Sequence, residues 1–497
     1  MKLTVDNINP RVRAAKYAVR GELAVKSEEY RARLNKGDTS LPFKQIISAN
    51  IGNPQQLDQQ PITFFRQVCS LLENPKLLEK EDVLISGLGY KTDVIERAKW
   101  LLSHAGSVGA YSASKGVPAI QDSIAAFLES WSSALQAILY YLLILYLGRD
   151  GFPANPSNIY LSAGASSGVN TILNVICTGP QTGVLIPIPQ YPLYTATLAL
   201  LDATPVPYYL DESKGWGTDV EAVRNAYEKA TADGTDVRCI VVINPGNPTG
   251  ASLPEEDIQA VIDFAAQKNV VVMADEVYQT NVFVGKFHSF KSVLRKMQQE
   301  HPGKYDGVEL VSLHSISKGM VGECGHRGGY FELVGFDPEV EANIYKFVSI
   351  QLCAPVIGQC LVELMVNPPK PGEPSYKLYR EEHDGIFQGL KQRATALHKA
   401  FSEMEGVECG EPQGSMYLFP TIKLPARAAE AAAAEGRTPD DFYCMRLLEA
   451  TGICVVPGAG FGQVEGTTHF RTTFLAPGTE WVGSIVKFHQ EFMDKYR

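Results

Sequence analysis

Between Ala203 and Leu313, apolar runs of strand length alternate with stretches whose apolar residues recur at helical spacing. The pattern predicts strands over 203–209, 237–243, 270–274 and 308–313, with helices over 220–230 and 255–268. Two earlier short runs, 159–161 and 184–187, flank a helix predicted over 169–176. Runs that are apolar throughout, rather than alternating, fit strands buried on both faces. Such strand–helix alternation predicts a mostly parallel central sheet with helices on both sides, an α/β architecture. Ligands in these sheets sit beyond the carboxyl ends of the strands. Asn247, Asp275, Tyr278 and Lys318 all fall at or just after such ends, so they can converge on one site.

Outside this block the pattern is more helical. Helical spacing runs over 11–36, 61–73, 93–104 and onward from Ile120, and the stretch Asn50-Ile51-Gly52-Asn53-Pro54 reads as a strand-to-turn signal. After Phe336, helices are predicted over 340–352, 376–401, 426–435 and 481–496, with short β runs near 414–417, 455–458 and 468–472. The expected organisation is an N-terminal arm with part of a small domain (1–95), a large domain (96–357) and a smaller α+β domain (358–497). One segment departs from this order: Ala134 to Leu147, ALQAILYYLLILYL, is uncharged and apolar. It falls short of the roughly 20 residues a membrane-spanning helix needs, and reads as a hydrophobic helix.

Composition narrows the field. The 497 residues leave room for two or more domains, and 45% hydrophobic with 20% charged residues is ordinary for a globular chain. A net charge of -10 without a long basic run weighs against nucleic acid as a partner. The nine cysteines show no CxxC spacing or His/Cys cluster, which disfavours a metal site or a disulfide framework and fits a reducing compartment. The N-terminal stretch lacks an apolar signal core, and Asp6, Glu22, Glu28 and Glu29 weigh against an organellar presequence; the C-terminal DKYR is no peroxisomal address. A cytoplasmic protein is expected, with an organelle left open.

The candidate chemistry centres on Lys318, preceded by Ser315 and Ser317, followed by Gly319, and close in sequence to Arg327. It reads as a surface lysine in a Ser/Gly turn or as an amine for Schiff-base chemistry on a phosphorylated aldehyde. The second role needs an amine that is partly neutral, and groups that hold a phosphate; arginine does so bidentately. Gly164-Ala165-Ser166-Ser167-Gly168 opens a helix whose N-terminus is either an anion site or an ordinary cap. Were the cofactor pyridoxal phosphate, Asp275 would keep the ring nitrogen protonated; its bland alternative is a solvated strand end. Asn247 and Tyr278 suit the ring oxygen, or are a turn residue and a core aromatic. Tyr191 would stack on the ring, or is a packed loop aromatic. Gly52 lets backbone approach a ligand, or only makes its turn.

In order along the chain, NPGNPTG, ADEVY, SISKG and the downstream Arg327 resemble the aspartate-aminotransferase superfamily of pyridoxal phosphate enzymes. YAVRGEL (Tyr17–Leu23), NIGNPQ, QQPITFFRQV, PQYPLY, PYYLDE, GECGHRGGY, NPPKPG and HFRTT are similar to its alanine aminotransferase branch. The resemblance implies pyridoxal 5′-phosphate as cofactor, and Lys318 as the Schiff-base lysine that also shuttles the substrate proton. It implies Ala165, Ser166, Ser315 and Arg327 around the phosphate, with Tyr111 reaching it from the neighbouring subunit of a homodimer. Arg471 would clamp the substrate α-carboxylate, with the backbone at Gly52 nearby. The implied reaction converts L-alanine and 2-oxoglutarate to pyruvate and L-glutamate in ping-pong fashion, with no nucleic-acid or membrane partner. Alternatives are a glutamate:glyoxylate aminotransferase, a lyase such as aminocyclopropane-carboxylate synthase, and a non-catalytic regulator. The branch passes directly from Phe127-Leu128-Glu129 to Arg149-Asp150-Gly151, so residues 130–148 stand as an atypical apolar insertion. They read as an interface helix, a membrane-surface contact or, the favoured reading, sequence absent from the natural mature protein. Met320 and Val321 stand where the branch more often has aromatics, and Ala163 where it often has an acid.

Overall fold

The computed structural model describes residues 3–5, 7–15, 21–129 and 149–497. The apolar segment 130–148 and most of the Tyr17–Leu23 motif lie outside the described residues. A seven-stranded sheet forms the centre: β1 Ile159–Ser162, β2 Thr182–Ile188, β3 Thr204–Tyr209, β4 Asp236–Ile243, β5 Val271–Asp275, β6 Leu310–Ser315 and β7 Gly329–Val334. Their spatial order is β1-β7-β6-β5-β4-β2-β3. All neighbours pair in parallel except β7, which runs antiparallel to both β1 and β6. The expected mostly parallel sheet is therefore present.

Its central strands are largely apolar because each face is covered. Leu185, Ile240, Val242, Val272, Ala274 and Leu310 pack on one side against Ile258, Val261, Phe264, Phe290 and Leu294 from helices Glu255–Lys268 and Phe290–Glu300. Alternate residues Val184, Ile186, Val241, Met273 and Val311 pack on the other side against Val169, Ile172, Leu173 and Leu198 from helices Ala165–Ile176 and Leu193–Leu201. Period-two alternation thus divides one hydrophobic run between two cores.

Register sets the site. Ile243 lies opposite Asp275, and Asp275 opposite Leu313, so β4 and β5 end level and β6 runs two residues further. The turns carrying Asn247, Tyr278 and Lys318 leave from that common edge. Across it stands a second lobe, whose core joins Leu390, Phe401, Tyr417, Tyr443, Phe470 and Phe488 to Leu23, Phe43 and Ala49 from the N-terminal part. Ile47–Ser48 pairs in parallel with Ile453–Cys454, which ties the two chain ends together. Helices Thr63–Glu73, Thr92–Ala105 and Pro118–Glu129 pack instead with helix Val356–Val366 beside β1 and β7.

Some expectations need adjusting. The continuous helical spacing over 11–36 resolves into helices Pro10–Ala14 and Glu22–Asn35. Between the helices near 73 and 93, where no helix is predicted, lies helix Glu81–Leu88. No helix among the described residues is long and apolar enough to cross a membrane. The nine cysteines are all unpaired.

Candidate active site

A cavity of about 340 Å³ opens at the carboxyl edge of the sheet. Its walls include Gly52, Ala165, Ser166, Tyr191, Asn247, Asp275, Tyr278, Ser315, Lys318, Arg327 and Arg471, so the fold gathers all the expected site residues except Tyr111. Tyr111 is 80% exposed on this chain and takes no part in the cavity.

Asp275 closes β5 and is buried. The Tyr194 hydroxyl donates to its Oδ2 at 2.7 Å, and the Val277 N–H to its Oδ1 at 3.4 Å. Burial raises its pKa, against the opposing pull of these hydrogen bonds and of Lys318. No cation pairs with it directly among the described residues. A buried carboxylate in that state favours a positively charged or protonated group placed beside it. The next residue, Glu276, serves another purpose. It accepts from Arg149 at 2.9 Å and from the backbone N–H of Phe290 at 2.8 Å. Arg149 in turn holds Asp150 at 2.8 Å, and Lys291 holds Glu332 at 2.6 Å, so a buried ion network anchors the strand ends from behind.

Lys318 reaches into the cavity from the turn after β6, and its Nζ donates to the Gly52 carbonyl at 2.9 Å. A Cβ at Gly52 would overlap the Tyr417 hydroxyl and come within 2.9 Å of Lys318 Nζ. A side chain at Gly52 therefore has no room beside Tyr417 and Lys318. Asn247 is buried and accepts from Arg471 Nη1 at 3.1 Å. Tyr278 is also buried, and its hydroxyl donates to that of Tyr417 at 3.1 Å.

Arg471 is only 1% exposed. Its second donor goes to the Asn50 carbonyl at 2.5 Å, while Nε has no partner. The guanidinium lies 4.3 Å from the centre of the Tyr417 ring and 4.7 Å from that of Phe461. Among the described residues no carboxylate pairs with it. A buried cation held by neutral groups is costly unless an anion joins it.

The other end of the cavity has the chemistry of an anion cradle. Ala165 and Ser166 begin the helix Ala165–Ile176, whose N-terminal N–H groups and dipole favour negative charge. Arg327 is steered there by donating to the Ala163 carbonyl at 2.7 Å and the Cys324 carbonyl at 2.9 Å, and it too lacks a carboxylate partner among the described residues. A Cβ on Gly164 would lie 2.5 Å from Arg327 Nη2. Ser315 accepts from the Ser317 N–H at 3.1 Å and donates to the Gly328 carbonyl at 3.1 Å.

An amine, an acid and two guanidinium groups without an ion-pair partner among the described residues, and a helix N-terminus, thus share one cavity. This donor set fits pyridoxal phosphate: Arg327, Ser315 and the helix start suit the phosphate, and Asp275 suits a protonated ring nitrogen. Sequence reasoning missed Tyr417 and Tyr194. Tyr417 lies on a strand of two residues, Tyr417–Leu418, too short for any periodicity, and only its antiparallel pairing with Phe470–Thr473 brings it to the lysine.

Known proteins resemble this chain in sequence and in fold. The chain is 52% identical over 500 residues to a mitochondrial alanine aminotransferase of Saccharomyces cerevisiae, with 100% of this chain and 81% of that one covered. It is also 48% identical over 500 residues to a protein of the same yeast named inactive alanine aminotransferase, covering 100% of this chain and 95% of that one. Among solved structures, an alanine aminotransferase from Pyrococcus furiosus superposes with a TM-score of 0.71 at 21% identity, covering 98% of this chain and 100% of the other, a likeness of fold. The family described as aminotransferase class I and II matches residues 90–481, and it is to this family that the chain belongs.

Proposed function

We propose that the chain is a pyridoxal-phosphate-dependent alanine aminotransferase, which passes the amino group of L-alanine to 2-oxoglutarate and yields pyruvate and L-glutamate. Likeness to relatives does not by itself decide activity, since one of them is named inactive. The observation that carries the reading is the placement of the Lys318 amine in one cavity with a buried acid, Asp275, and a buried cation, Arg471, neither in an ion pair among the described residues.

When bound, the cofactor supplies an aldehyde for the amine and a ring that stores the electron pair released at the substrate α-carbon. Asp275 holds the ring-nitrogen proton, and burial enforces the pairing. Asn247 and Tyr278 suit the ring oxygen, and Tyr191 suits the ring face. Arg327, Ser315, Ser166 and the backbone at Ala165 hold the phosphate. Arg471 binds the substrate α-carboxylate, for which its hydrogen bonds to Asn247 and Asn50 orient it. Lys318 then takes and returns the α-proton at Nζ as a positioned general base and acid. Tyr111, exposed on this chain, supports a homodimer in which it serves the partner's phosphate site.

A panel of amino donors against pyruvate, glyoxylate and 2-oxoglutarate tests the reading, with borohydride reduction of the cofactor-loaded protein. Alanine with 2-oxoglutarate is expected to be the best pair, with a reducible adduct on Lys318 that is lost in Lys318→Ala. Preference for glyoxylate would favour the glutamate:glyoxylate alternative. Elimination products would favour the lyase, and turnover surviving in Lys318→Ala would remove the lysine from its role. The expected compartment is the cytoplasm; cell fractionation decides between it and the mitochondrion named for the yeast relative.

A further inference from the structure

We propose that Tyr417 is a proton-sharing partner of Lys318, its hydroxyl exchanging a proton with Nζ during the reaction. The inference rests on the function proposed above and adds to it a residue that reading leaves without a task.

Geometry carries the argument. The Tyr417 hydroxyl and Lys318 Nζ crowd the same point, since a Cβ on Gly52 would run into both. The charged groups facing the phenol come from three directions. Lys318 reaches it from the turn after β6, and Arg471 lies 4.3 Å from its ring, projecting from strand Phe470–Thr473. Tyr278, from the turn after β5, donates to its oxygen at 3.1 Å, and Asp275 acts at one remove through Tyr278. The buried phenol therefore accepts a hydrogen bond from Tyr278 and stands beside Lys318 and Arg471. Burial pushes it towards the neutral form, but Lys318 and Arg471 outweigh burial and draw its pKa below the ordinary phenol value. Tyr278 moves the other way, raised by burial and then by the charge of Tyr417, so Tyr417 is the member of the pair that gives up its proton first.

The step balances within the pair. With the proton on nitrogen the pair is ammonium and phenolate; with it on oxygen the pair is free amine and phenol. Net charge is the same in both, so the transfer adds no uncompensated charge to a buried site. A substrate carboxylate on Arg471 weakens the field that favours phenolate. Once the lysine is released, with the substrate carboxylate still on Arg471, the shared proton rests on oxygen and the free amine can take the α-proton.

The test is Tyr417→Phe, which keeps the ring under Arg471 and removes the hydroxyl. Three readouts are taken on the cofactor-loaded protein: the pH titration of cofactor absorbance, kcat and KM for L-alanine, and the borohydride adduct. The expected result is a titration midpoint lowered by about one pH unit, and a kcat lowered by about 100-fold. KM is expected to change less than about threefold, with the adduct still on Lys318. A titration curve superimposable on the parent's, or a kcat within about threefold of it, overturns the proposal. So does a variant that no longer forms the adduct, because the hydroxyl would then hold architecture rather than a proton. If the parent protein itself forms no adduct, the proposed function falls instead, and this inference with it.

Discussion

Arg471→Met separates a substrate clamp from a structural cation. The guanidinium donates to Asn247 and Asn50 and lies over two aromatic rings, with no carboxylate partner among the described residues. Hydrogen bonds from a charged donor are worth about 1.5–3 kcal/mol each, and buried cation–π contacts about 0.5–2 kcal/mol each. Against these stands the cost of keeping an uncompensated charge out of water, several kcal/mol after relaxation. The opposing terms are of similar size, and methionine fills much of the same volume. The unfolding free energy of the cofactor-free protein is therefore expected to stay within about 2 kcal/mol of the parent value. Turnover should respond differently. Removing one partner of a buried, hydrogen-bonded charge pair costs about 2–5 kcal/mol. A value near 4 kcal/mol lowers kcat/KM for L-alanine by about 1,000-fold. Urea unfolding of the free protein and steady-state kinetics of the loaded one check the two halves. A fall in kcat/KM below about tenfold would refute the clamp. A stability loss above about 4 kcal/mol would instead make Arg471 a structural residue.

Three further outcomes are expected. Gly52→Ala pushes a methyl group into the Tyr417 hydroxyl and against Lys318 Nζ; kcat should fall about 100-fold, as for other small misplacements of a reacting group, and crowding the buried Tyr417 should cost about 1–3 kcal/mol of stability in urea unfolding. Burial, and then the charge of Arg149, hold His314 down at about 3, below its ordinary 6.5. The stability its neutral form contributes is thus present above pH 6.5 and is lost as pH falls towards 3. His314→Leu should flatten the decline of the unfolding free energy below pH 6.5, followed by urea titration, by up to about 1.4 kcal/mol per pH unit, and an unchanged slope would contradict the assignment. Finally, Arg149 N donates to Phe127 O at 3.2 Å and Asp150 N to Leu128 O at 3.1 Å, across residues 130–148. Joining Glu129 directly to Arg149 makes both into ordinary i→i+3 bonds of a helix end. The shortened protein should keep its activity and give more soluble product; loss of cofactor binding would count against this.

What could be read from residue order was whatever the parallel sheet controls. Asp275, Asn247 and Lys318 follow apolar runs of strand length set between helical stretches, and strand ends in such a sheet converge. Helix Glu255–Lys268 was equally plain, with Ile258, Val261, Ile262 and Ala265 at helical spacing. Helix Leu193–Leu201 was obscured because LYTATLALL is apolar almost throughout and shows little preferred face. Phe290, Val293, Leu294 and Met297 do recur at helical spacing and form a buried face, a signal easily passed over between two strong strands. Tyr417 and Arg471 are a different case. They sit on strands of two and four residues in the second lobe. Residue order offered no local reason to place either beside Lys318, and for Arg471 only resemblance to a family suggested a role. Their meeting is a tertiary event, set by the pairing of Tyr417 with Thr473 and of Arg471 with Val456.

The two backbone hydrogen bonds that join Phe127 and Leu128 to Arg149 and Asp150 have a practical use. They staple the entry and exit of the intervening stretch at one point, and Arg149 and Asp150 are themselves fastened to Glu276 and Ser289. Whatever peptide is spliced between Glu129 and Arg149 hangs from a stem that the rest of the molecule already holds shut. A fluorescent reporter or an affinity handle grafted there should leave the cavity on the sheet's carboxyl edge undisturbed.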